Sequence, residues 1–167
     1  GSDEEGASVL ITAELIGAPA DIVEPVAKRL QRKAGLPRER IAFCATHTHT
    51  GPVLSAFLKG AHFAEPLPPE ELDRLHRYEA WLIDQLEKVA LEALAARQPA
   101  QLAWSQGSVG FAANRRLIQN GKYVGMKAND GPVDHALPVL TARDGKGALI
   151  AVLANYACHC TTYSAKF

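Results

Sequence analysis

The sequence predicts an α/β fold: a mixed β-sheet with a β-α-β unit and flanking helices. Three observations carry the class. Two short, apolar, β-prone runs, Ser8–Leu15 and Ile41–Thr46, bracket an amphipathic stretch that has helix start and stop signals. A longer amphipathic segment runs from about Glu70 to Arg97. The remainder is β-prone and punctuated by hairpin turns.

Taken in order, Ser8–Leu15 reads as a buried strand. Residues 17–20 turn, and Asp21 is expected to cap a helix, with Glu24 three residues on as its capping-box partner and Pro25 in the first turn. Ile22, Val26, Leu30 and Ala34 mark one face, Gly35 is the stop signal, and Pro37 lies just beyond. Ile41–Thr46 is the next strand, so the unit implies two parallel strands joined by a right-handed crossover. Val53–Pro69 is a loop. Leu72, Leu75, Tyr78, Leu82, Leu86, Val89 and Ala93 form the core stripe of the second helix, with Glu70 and Glu71 at its electropositive end and His76 on its solvated face. Strands are expected near 101–111, 137–142 and 148–156. Asn120-Gly121 and Asp144–Gly147 are hairpin turns, and Ala148–Tyr156 is apolar enough for a buried strand.

At 167 residues and 47% hydrophobic content, one domain over 1–167 is expected. The 18 basic and 18 acidic side chains balance, which gives no electrostatic reason to expect nucleic acid or an anionic membrane surface as partner. No run approaches the roughly 20 apolar residues of a transmembrane helix. Gly1–Gly6 has neither the basic nor the apolar region of a signal peptide, and the start without Met is that expected of a chain beginning mid-protein. Three cysteines argue against a disulfide scaffold, and Cys158 and Cys160 are expected as small core residues.

The chemistry concentrates where apolar strands stop. Ile41–Ala45 runs into Thr46-His47-Thr48-His49-Thr50-Gly51-Pro52, and Ala148–Tyr156 runs into Ala157-Cys158-His159-Cys160-Thr161-Thr162. Residues two apart on a strand share a face at roughly 6.5–7 Å, so His47 and His49 can converge on one point. In parallel sheets ligands gather beyond the carboxyl ends of the strands. The plain alternative is three histidines hydrogen-bonded to backbone at strand ends. A catalytic zinc takes three protein ligands and keeps a position for water, which suits amide or ester hydrolysis. His47 and His159 are the first choice as ligands. His49 is a third ligand or a group bonding substrate or hydroxide, and Arg115 is the candidate cation beside the site. His135 reads as a turn residue, and His62 receives no role. No Gly-x-Ser-x-Gly elbow, phosphate loop or His-Glu-x-x-His occurs, and Ser55 and Ser105 have no evident base partner.

Four segments, Ala45–Pro52, Gly110–Arg116, Asp134–Leu140 and Asn155–Thr162, resemble in their order the N-terminal catalytic domain of the neutral/alkaline (non-lysosomal) ceramidase family. Thr50 stands where Ser is usual in that family. The resemblance implies a zinc-dependent amidase that cleaves the N-acyl bond of ceramide-like lipids to a fatty acid and a sphingoid base. It implies His47 and His159 as Zn2+ ligands and His49 and Arg115 as residues lining the active site. It places the family's remaining ligands, a Glu and a Tyr, and its active-site Ser beyond Phe167, so this chain alone is expected to bind zinc loosely and to be inactive. It further implies a secreted, periplasmic or membrane-associated protein and apolar surface open to self-association. Two other readings stand beside it: a non-catalytic α/β remnant or interaction module, and a zinc hydrolase of another amide or ester whose ligands Asp130 or Asp134 complete.

Overall fold

The computed structural model describes residues 1–58 and 67–159. These fall into two compact units, Gly1–Arg97 and Gln98 onward. The expectations for His62, Cys160 and the residues after it lie outside the described residues.

The first unit opens with a small antiparallel pair, β1 (Ser2–Asp3) and β2 (Gly6–Ala7), and continues through β3 (Val9–Ala13), α1 (Ala20–Ala34), β4 (Ile41–Ala45) and α2 (Pro69–Ala95). β3 and β4 are parallel, in register from Val9↔Ile41 to Ala13↔Ala45, which is the expected β-α-β unit. Ile11 and Ile41 point into a core filled by Ile22, Val26 and Leu30 of α1 and Leu82, Leu86 and Ala90 of α2. Alternate residues Leu10, Thr12, Ala42 and Cys44 are exposed, so β3 is half-buried where its apolar sequence suggested burial on both faces.

Helix α1 is capped two residues earlier than its sequence signals suggest. Pro19 is the N-cap residue and makes no side-chain cap bond, while Asp21 sits in the first turn, where the helix dipole favours it. Pro25 is therefore inside the helix. The Glu24 carboxylate turns away from the helix start and accepts a bond from Arg38 Nε at 3.0 Å. Gly35 caps the C-terminus at φ 65°, its N–H bonded to Gln31 O, as its place after the last helical residue predicts. On α2 the core stripe follows i, i+4 steps through Leu82, Leu86 and Ala90, which leaves Val89 and Ala93 exposed. His76 is exposed, as expected. Arg29 and Lys33 of α1 clamp the buried Glu87 of α2, with Arg29 also 2.5 Å from Asp84. Glu87 is held below the usual carboxylate range by the Lys33 ammonium, against the opposing effect of burial and with help from Arg29.

In the second unit β5 (Gln101–Ser108), β8 (Ala136–Arg143) and β9 (Leu149–Ala154) form an antiparallel sheet with β8 central. The β8–β9 turn is tied by Asp144 Oδ1, which accepts from Lys146 N and Ala148 N. β6 (Asn114–Gln119) and β7 (Lys122–Asn129) form a separate hairpin. Its turn residues Asn120 and Gly121 both take positive φ, 50° and 75°, the conformation that makes Asn-Gly a hairpin signal. The α/β class, the two long helices and the parallel and antiparallel pairings are as expected, but the two kinds of pairing lie in separate small sheets instead of one. β9 departs from its reading as a buried strand: all six residues are exposed. Continuous apolar composition signals a strand that can be covered on both faces, not one that is. Cys158, expected in the core, is only half-buried.

Candidate metal centre

The parallel pair determines how the first two histidines are presented. Thr46 N bonds Ala13 O at 3.0 Å, one step beyond the last residue of β4. From there the 46–51 loop leans on the chain leaving β3. Thr46 Oγ1 donates to Glu14 Oε2 at 3.0 Å, and His47 Nδ1 lies 2.6 Å from Ile16 O. Gly51 closes the loop against the same segment: a Cβ there would sit 2.8 Å from Glu14 O, so only glycine allows the approach.

His47 has φ 60°, in the left-handed region that few non-glycine residues occupy. Strand parity is thus not what brings His47 and His49 together, because both lie past the end of β4. The left-handed turn places their rings edge to face with centroids 5.0 Å apart. A carbonyl oxygen only accepts, so the bond to Ile16 O fixes the proton on His47 Nδ1 and makes Nε2 the lone-pair nitrogen of the neutral ring. Nothing in the sequence signals the Ile16 carbonyl or Glu14 as supports of this loop, because both act through the fold.

In the second unit the chain continues beyond β9, with Asn155 N still bonded to Pro138 O. Tyr156 then anchors the 109–112 segment. Its hydroxyl donates to Val109 O at 2.6 Å and accepts from Ala112 N at 3.2 Å, with the Phe111 ring against its own. His159 follows three residues later. Asn114 holds the start of β6, accepting from Arg116 N and donating to Pro132 O. Between these anchored residues stands Arg115, half-buried, lining a concavity of about 660 Å³ with Asn114, Arg116, Ile118, Tyr123 and Met126.

His47 and His49 of the first unit, and His159 of the second, are side chains of the kind that hold a metal ion. Each offers one ring nitrogen, and all three residues are exposed. Neither Asp130 nor Asp134 joins them. Asp134 Oδ1 instead accepts from Ala136 N at the start of β8, and His135 Nδ1 bonds Val109 O near the end of β5. Ser55, which shows no base partner in sequence, bonds Glu79 through both its backbone N–H and its hydroxyl, an anchor for the short turn at Ser55–Phe57.

The chain matches a ceramidase complexed with C2 at a TM-score of 0.66 and the neutral ceramidase of Pseudomonas aeruginosa at 0.63, each with 18% sequence identity over 89% of this chain. The fold is that of part of a neutral ceramidase. The chain spans 23% of the length of either structure. No family model matches the sequence, and neither does any curated protein. The likeness therefore lives in backbone arrangement, while at 18% identity the sequence keeps few of the neighbours' residues.

Proposed function

We propose that the chain is part of a zinc-dependent amidohydrolase of neutral ceramidase type, cleaving the N-acyl bond of ceramide-like lipids to a fatty acid and a sphingoid base. His47 and His159 are its zinc ligands in this chain, and His49 and Arg115 are the groups that meet substrate. The observation that carries the reading is the pair of histidines, His47 and His49, brought together by a left-handed turn at the end of β4 on a chain with the ceramidase fold. The donor set suits zinc, which favours imidazole nitrogen and leaves a position for water when three protein ligands bind. Bound zinc supplies a Lewis acid and a water whose pKa falls towards neutrality. The Ile16 carbonyl fixes the His47 tautomer, the usual outer support of a metal-binding imidazole. His49 can hold a proton on a ring nitrogen beside His47, and Arg115 offers guanidinium donors to a carbonyl or hydroxyl oxygen of substrate.

The test is hydrolysis of an N-acyl sphingosine by the natural full-length protein. The expected result is turnover that a chelator abolishes and zinc restores, falling at least about a hundredfold in His47→Ala, the scale of losing one strong electrostatic stabiliser. Turnover insensitive to chelator, or unchanged in that variant, contradicts the proposal. Cleavage of esters but not amides contradicts the substrate assignment alone.

A further inference from the structure

We propose that the β6–β7 hairpin is a docking surface for anionic lipid bilayers. Residues 114–129 hold four basic side chains, Arg115, Arg116, Lys122 and Lys127, and no acidic one, in a chain whose total charge is zero. The first carboxylate, Asp130, stands just past the end of β7. Among the described residues the ribbon pairs with no other strand. It also carries exposed large apolar side chains: Ile118, Tyr123, Val124 and Met126 are 51–72% exposed. Register sets Arg116 opposite Met126 and Ile118 opposite Tyr123, and these four line one concavity with Asn114 and Arg115 and without any carboxylate.

That combination fits a lipid surface. Each Lys or Arg near an anionic leaflet contributes about 1 kcal/mol, and guanidinium donors match phosphate and carboxylate oxygens. Apolar side chains entering the headgroup boundary add the transfer of their own area from water, and Tyr favours that boundary. A single-stranded nucleic acid would use the same charges but needs aromatic platforms for its bases. Tyr123 is the one aromatic of the ribbon, and Ile118, Val124 and Met126 would have no role there.

The test is co-sedimentation of the chain with phosphatidylcholine vesicles, with and without about a third phosphatidylserine, a content that gives a cytoplasmic-leaflet-like surface potential. Chelator is present throughout. Binding is expected only to the serine-containing vesicles, and it should weaken as salt rises. A triple variant, Arg116→Glu, Lys122→Glu and Lys127→Glu, should bind at least about tenfold more weakly, as should Ile118→Ser with Met126→Ser, both with unchanged circular dichroism. His47→Ala should bind as the wild type does, so failure of the zinc reading and failure of this one are told apart. Absence of binding to serine-containing vesicles overturns the proposal, as does undiminished binding by the triple variant. So does binding to a single-stranded RNA oligonucleotide when vesicles are not bound.

Discussion

At His47 the backbone is held in a conformation that costs on the order of 1–3 kcal/mol at a non-glycine residue, and such outliers cluster at functional sites. The histidines themselves were legible in the sequence, because two imidazoles at the end of an apolar run have little to do in a core. Their geometry was not, because it depends on a left-handed residue, a carbonyl of another strand's exit and a glycine in close contact with Glu14 O. Gly51→Ala puts this to the test at one atom. Its Cβ would meet backbone, which cannot rotate aside, so the 46–51 loop must move. We expect a loss of about 1–3 kcal/mol in stability, the usual range for overpacking, together with weaker zinc binding. Denaturant unfolding and zinc titration of the variant check both, and a variant as stable and as zinc-avid as the wild type would show that the loop is not held this way.

At the scale of elements, the signals that survived folding were local ones: Gly35 after α1, Asn120-Gly121 between β6 and β7, and Asp144–Gly147 between β8 and β9. What depended on partners was less legible. Val89 and Ala93 fit a helical stripe as well as Ala90 does, and only the position of α1 decides which of them is covered. The contact of α1 with α2 also rests on a buried charge that periodicity does not report. Removing it with Glu87→Gln should cost about 1–2 kcal/mol at neutral pH, below the 3–5 kcal/mol of a fully buried pair because Arg29 and Lys33 reach solvent. The folded-state pKa of Glu87 is depressed, so its contribution is present above the unfolded carboxylate value near 4.3 and is lost as pH falls through the lower folded value. Urea unfolding of wild type and variant from pH 7 to pH 3 should show their difference shrinking towards acid. A difference independent of pH would exclude the ion pair as its source.

At the scale of the whole chain, bulk quantities hid what distribution shows. A net charge of zero gave no reason to expect an anionic surface as partner, yet sixteen residues of one hairpin carry four positive charges and no negative one. Apolar composition likewise suggested a covered strand at Ala148–Tyr156, whereas Ile150 and Val152 are exposed. The order of four motifs was enough to expect the ceramidase fold, which the backbone shares with solved ceramidases at 18% identity. The central claim, that His47 and His159 hold zinc, is tested most directly by equilibrium dialysis of this chain against zinc with metal analysis. The account predicts uptake approaching one zinc per chain, released on dilution and at mildly acid pH because neutral imidazole is the ligand form. Uptake should be lost in His47→Ala and in His159→Ala and kept in His76→Ala. Equal uptake by wild type and His47→Ala, or none by the wild type at saturating zinc, would contradict it.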